Sequence, residues 1–138
     1  MDDWVIGLES LQLPEQTHCK AIVIRSLPNP ESKKTAQYSG TNPPYVDQEL
    51  MRRLVNLGFE HFLIDLPSVD KEEDGGELSA HKIWWDWKGG SRYGCTITEL
   101  VYVPDSLPDG TYALHLGLTN LRNDAVPSRP ILFPFISI

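Results

Sequence analysis

The sequence predicts an α/β fold with a mixed sheet and few helices. Three observations carry this expectation. Ala21-Ile22-Val23-Ile24 is an unbroken apolar run, too short for a helix and typical of a strand covered on both faces. His61-Phe62-Leu63-Ile64-Asp65 reads the same way, and an amphipathic segment lies between the two. Strand, helix, strand makes a βαβ unit, so strands 21–25 and 61–65 should run parallel, joined by a right-handed crossover. The second strand closes on a carboxylate and opens into a long polar loop. Ligands of open α/β sheets bind on such loops, beyond the carboxyl ends of the strands.

Taken in order, residues 4–16 place apolar side chains at 4, 5, 8 and 11, which predicts a short helix ending at Pro14. After the 21–25 strand, the chain from Arg25 to Pro44 is a long loop punctuated by proline and glycine, a length that points to function or mobility. Asp47 is placed to cap the next helix, whose apolar face is Leu50, Met51, Leu54, Val55 and Leu57, with Gly58 as its C-terminal glycine. Beyond 61–65 come the turn Leu66-Pro67-Ser68, the charged run Asp70-Lys71-Glu72-Glu73-Asp74, a pivot at Gly75-Gly76, and then His81 beside Trp84-Trp85. Cys95–Val103 is expected to be a strand whose period of two puts Ile97, Glu99, Val101 and Val103 on one face. A carboxylate in such a row is costly unless paired, so Glu99 should meet a cation, a hydrogen-bond donor or a metal. Tyr112–Leu118 alternates as another strand, with His115 facing away from Leu114 and Leu116, and Ile131–Ile136 reads as an edge strand because of Pro134.

Composition narrows the function. The 138 residues suffice for one domain, 1–138, and a hydrophobic fraction of 41% with 22% charged residues is that of a globular protein. Twelve basic against nineteen acidic residues leave a net charge of −7, which argues against nucleic acid or an anionic membrane as partner. No apolar run approaches the roughly 20 residues of a membrane span. Met1–Ser10 lacks the features of a secretory signal, so the expected location is cytoplasmic. Cys19 and Cys95 are too few for a disulfide framework, and both thiols are expected to be buried.

Neither a G-x-S-x-G elbow nor a phosphate-binding glycine loop occurs. What remains is a metal or acid–base site built from Asp65, His81 and Glu99, with His18, His61 and His115 in reserve. Histidine and carboxylate are natural ligands of zinc and manganese, but a catalytic zinc takes three protein ligands and one open position. His81 and Glu99 alone make half a site. A bland alternative fits the same residues: an acidic surface loop beside a helix packed by its tryptophans. In a third reading Trp84, Trp85 and Trp87 stack on a small molecule or sugar, although tryptophans so spaced more often belong to a core.

Residues 61–81, H-F-L-I-D-L-P-S-V-D-x-E-E-D-G-G-x-L-x-A-H, closely resemble the cyclase family of metal-dependent hydrolases, which includes bacterial kynurenine formamidase. Tyr38–Tyr45, Thr96–Asp105 and Ala125–Pro130 agree with it, so the likeness extends from about residue 20 onward. The resemblance implies a swivelling β/β/α domain around a mixed, partly barrel-like sheet, often dimeric. It implies hydrolysis of amide-type bonds in a small-molecule substrate, with zinc or manganese as cofactor. His81 matches the family's late metal-ligand histidine and Glu99 its late metal-ligand glutamate, with Tyr38, Asp65, Ser68 and Asp70 lining the site. The sequence departs from the family in lacking its early H-x-G-T-H-x-D-x-P motif. The chain is therefore expected to be the C-terminal portion of such a domain. It should be inactive alone, and it should associate with itself or with a complementing N-terminal chain. The competing expectation is a non-catalytic remnant or partner-binding domain of the same fold.

Overall fold

The computed structural model describes residues 3–135. The chain divides into two compact units, Met1–Val103 and Pro104–Ile138. Among the described residues no helix is long and apolar enough to cross a membrane.

The first unit is built on the expected βαβ. Strand β2 (Ala21–Ile24) pairs in parallel with β4 (His61–Ile64), in a register that sets Ile24 beside Ile64. Helix α1 (Gln48–Asn56) lies between them in sequence. Asp47 caps it, its carboxylate accepting the Glu49 backbone N–H at 2.8 Å. Gly58 adopts φ +83° just past the helix, the left-handed conformation that favours glycine. Leu50, Met51 and Leu54 are fully buried and pack with Phe62, Ile64, Leu66, Val69 and Trp84. β4 has no side chain on the surface after His61, as befits a central parallel strand.

Strand β5 (Thr96–Thr98) completes a parallel sheet in the order β2-β4-β5. It is shorter than the sequence predicts. Leu100 turns to φ +58°, so the alternation ends at Thr98 and Glu99 does not share a row with Ile97, Val101 and Val103. The chain still runs beside β4: Leu100 N–H donates to the Leu66 carbonyl and Val101 N–H to the Ile64 carbonyl.

Residues 4–16 also depart from expectation. Val5–Ile6 forms strand β1, paired in parallel with β3 (Tyr45–Val46), and only a single 3₁₀ turn follows at Leu8–Ser10. The apolar positions 4, 5, 8 and 11 fit a helix stripe, but four matches over eight residues do not outweigh two backbone partners waiting along β3. Helix α2 (Ser79–Trp84) is one turn and a half, and it drives Trp84 wholly into the core. Trp85 donates its indole N–H to the Cys95 carbonyl at 2.8 Å, and of Trp84, Trp85 and Trp87 only the last is well exposed. The three tryptophans therefore form no common stacking surface. Cys19 is exposed and Cys95 half-buried, against the expectation that both would be enclosed.

In the second unit β6 (Tyr112–His115) and β7 (Ile131–Pro134) pair antiparallel, with a further bridge between Leu118 and Ser128. Gly117 has φ +63°, and a Cβ there would stand 2.6 Å from the Arg129 carbonyl oxygen, so no other residue fits. Among the described residues the antiparallel pairing is confined to this ribbon, and the parallel pairing to the two sheets of the first unit. The expected strand end at Ile136 lies outside the described residues. The coarse class is α/β with few helices and small open sheets.

Two substitutions separate packing from capping. Leu54→Ala removes a fully buried side chain and should lower unfolding free energy by about 2–5 kcal/mol. Asp47→Ala should cost only ~1 kcal/mol. Urea unfolding followed by tryptophan fluorescence checks both, and equal losses would show that α1 is not held mainly by its buried face.

Candidate functional site

Asp70, His81 and Glu99 come together at the carboxyl ends of β4 and β5. Asp70 stands in the loop after β4, is 8% exposed, and organises that loop and the start of α2 at once. Its Oδ1 accepts the Ala80 backbone N–H at 2.6 Å, and its Oδ2 accepts the His81 N–H at 3.2 Å and contacts His81 Nδ1 at 2.6 Å. Ser68 shapes the approach, its hydroxyl accepting the Asp70 N–H at 3.1 Å. Leu78, just before the helix, has φ +47° and supplies no side-chain cap of its own, so a carboxylate from the preceding loop fills that role. An ionised carboxylate only accepts, so the proton on the His81 ring faces Asp70 at Nδ1 and the Nε2 edge is turned elsewhere.

That edge meets Glu99. His81 Nε2 and Glu99 Oε1 lie 3.7 Å apart, while Oε1 also accepts the Val69 backbone N–H at 3.2 Å. The donor the sequence required for Glu99 is thus a loop amide, although the strand row that motivated it is broken. The ring of Trp85 leans on the imidazole, with centroids 5.2 Å apart.

The two carboxylates are pushed in opposite directions. Burial raises the Glu99 carboxyl above its usual range, and His81 and the Val69 N–H only partly offset this. Burial also acts to raise Asp70, but the His81 ring and the Ala80 and His81 amides outweigh it and hold Asp70 below the usual carboxylate range.

Asp65 and Tyr38, the remaining expected lining residues, stand together in a different place. Asp65 follows β4 directly and is almost fully buried. Both its oxygens lie 3.0 Å from the Ser26 N–H, and Lys33 Nζ is 2.8 Å from Oδ2. With Tyr38, Lys33, Lys34 and Tyr102 it borders a cleft of about 130 Å³ whose lining includes none of Asp70, His81 and Glu99. Of the reserve histidines, His61 Nδ1 pairs with the Thr96 hydroxyl at 3.0 Å, and His18 and His115 are exposed.

Two ligand atoms on one tetrahedral zinc are about 3.4 Å apart, so the spacing of Nε2 and Oε1 suits a shared ion. Asp70 is then the outer carboxylate that orients a ligating imidazole through its far nitrogen. Among the described residues, however, no group of three or more His, Cys, Asp or Glu side chains could hold a metal. Two ligands would fall short of the three that a catalytic zinc takes from the protein. The sequence singled out both halves of the pair but not the Asp70–His81 bond, because an eleven-residue separation across a loop has no fixed spatial meaning. It also missed Lys33, although a buried Asp65 requires a cation nearby. No protein-family model matches the chain, and no curated protein matches it.

The opposed shifts fix the pH response of chelator-treated protein. Asp70 has a folded pKa below its unfolded value, so its stabilisation is present above about pH 4 and is lost as pH falls through the folded pKa. Glu99 has the reverse sign, so its protonated form favours folding and stability falls as pH rises from about 4 through its raised pKa. The advantage of wild type over Asp70→Asn should therefore shrink below about pH 4, whereas Glu99→Gln should gain on wild type as pH rises from about 4 through the raised Glu99 pKa. Thermal melts across pH 3–8 measure both, and parallel curves for all three proteins would contradict the assignment.

Proposed function

We propose that His81 and Glu99 are two protein ligands of a divalent zinc or manganese site, in a hydrolase of the cyclase type acting on amide bonds of a small molecule. The observation that carries this reading is the convergence of His81 Nε2 and Glu99 Oε1 at 3.7 Å with Nδ1 held by buried Asp70. The likeness of residues 61–81 and 96–105 to kynurenine formamidase and its relatives supports the same choice of residues. A bound ion of this kind lowers the pKa of its water and polarises a carbonyl. The chain's own contribution is positional: Asp70 fixes the imidazole ring, the Val69 amide fixes Glu99, and Trp85 covers one face of the ring.

On this reading the chain supplies the late part of a swivelling β/β/α domain with a partly barrel-like sheet, in a cytoplasmic enzyme. The missing ligands come from a second copy or a complementing N-terminal chain, and the chain alone is inactive. A second reading, a non-catalytic partner-binding domain, is favoured by one observation: the absence of a third ligand among the described residues.

Metal analysis by plasma mass spectrometry, after zinc or manganese loading and desalting, decides between them. Wild type, alone or reconstituted with a complementing chain, should retain metal that His81→Ala and Glu99→Gln each lose. Asp70→Asn should retain about ten- to a hundred-fold weaker affinity. Arylformamide hydrolysis should appear only in metal-retaining assemblies. Equal and negligible retention by wild type and both ligand variants in every assembly would sink the hydrolase reading and leave the binding domain.

A further inference from the structure

The cleft beside Asp65 has a chemistry of its own, and it does not depend on a metal at His81 and Glu99. Its volume of about 130 Å³ is close to that of an apolar cavity that holds one benzene molecule, roughly 150 Å³. Ala36, Val101 and the ring of Tyr102 give it apolar walls.

Its polar groups are unequally committed. Lys33 Nζ has three protons, and all three have acceptors: the Ser26 carbonyl at 2.6 Å, the Ser26 hydroxyl at 2.9 Å and Asp65 at 2.8 Å. Lys33 is therefore structural, and it cancels the charge of Asp65. Lys34 is different. Its ammonium sits 4.7 Å from the centroid of the Tyr102 ring, and its carboxylate partner is the largely exposed Glu31 at 3.2 Å. An exposed pair of this type is worth only tenths of a kcal/mol, so a ligand carboxylate can replace Glu31. The Tyr38 hydroxyl has no hydrogen-bond partner among the described residues, and burial together with nearby Asp65 favours its protonated, donating form. Two cations against one carboxylate leave the lining one charge positive, in a chain whose net charge is −7.

We propose that this cleft binds a single-ring carboxylate of benzoate size, its carboxylate between the Lys34 ammonium and the Tyr38 hydroxyl and its ring against Tyr102. The backbone holds these groups ready. The Tyr38 loop is pinned where the Gly40 and Asn42 amides donate to Glu72 at 2.6 and 3.0 Å. The Tyr102 side is pinned where the Val101 amide donates to the end of β4.

The test is a titration of isotopically labelled, chelator-treated protein with benzoate and, separately, with neutral benzamide, read by two-dimensional NMR. Benzoate should give saturable shifts clustered on Ala36, Tyr38 and Tyr102, with an affinity at least about tenfold above that of benzamide, as a hydrogen-bonded charge pair implies. Lys34→Met keeps the aliphatic stem and should erase the preference for benzoate. Tyr38→Phe should weaken benzoate several-fold and benzamide less. Absence of saturable shifts with benzoate at about a hundred times the protein concentration and above, or an unchanged preference in Lys34→Met, overturns the proposal. The comparison of the two ligands on wild type stands even where a variant folds poorly. Metal retention at His81 and Glu99 is measured separately, so either reading can fail without the other.

Discussion

The arrangement at the end of the parallel sheet depends on the buried carboxylate of Asp70. Taking a carboxylate out of water is expensive unless donors replace the lost hydration. Asp70 finds three: the Ala80 amide, the His81 amide and the His81 ring. The first two start helix α2, which has no cap of its own, and the third sets the orientation of the imidazole. A single desolvated group thus couples the position of the helix to the direction in which His81 points. Because α2 also carries Trp84 into the core, any tilt of the helix is resisted by close packing against Phe62 as well as by these bonds.

The acidic run that follows is best understood in the same way. Read as composition, Asp70 to Asp74 suggests a solvated surface or a cation site. In the structure most of its carboxylates accept backbone amides, and its lysine pairs with a carboxylate. Glu72 accepts two amides of the Tyr38 loop, Asp74 accepts the Gly76 and Leu78 amides, and Lys71 pairs with Asp3 at 2.8 Å. These groups close a clasp between the loop before β3 and the loop before α2. An ordered polar loop needs such bonds, because it has little apolar surface to bury. The loop from Arg25 to Pro44 is long, but ties at Lys33, Gly40 and Asn42 give it a defined path.

The βαβ unit was legible from the sequence because its signals are local and agree with one another. β-Branched runs, an amphipathic face, a capping Asp47 and a closing Gly58 all point to one answer. The failures are equally physical. Residues 4–16 were decided by a distant partner strand, which no local pattern reports. The strand after Cys95 was cut short by a positive φ at Leu100, a residue whose type gives no warning of it. The candidate site was half legible. His81, Glu99 and Asp70 were marked individually, but their geometry arises from loops, and Tyr38 and Asp65 went to a separate cleft because parallel pairing brings Ser26 and Lys33 alongside residue 65.

The two carboxylates on one imidazole show how such a site can be poised. Asp70 is surrounded by donors that hold its carboxyl below the usual range, whereas Glu99 is half-buried with one amide and the edge of a histidine, and its carboxyl is raised. Environments that push paired groups apart assign them different roles. Asp70 is committed to orientation, since both its oxygens accept from α2 or the His81 ring. Glu99 Oε1 accepts a single amide, that of Val69, and lies 3.7 Å from Nε2. A cation placed there would relieve the burial cost of the glutamate and accept the histidine lone pair in one step. The cost of the pair without such a partner and the chemistry of the pair with one are therefore the same physical fact: a half-buried carboxylate set opposite an oriented imidazole.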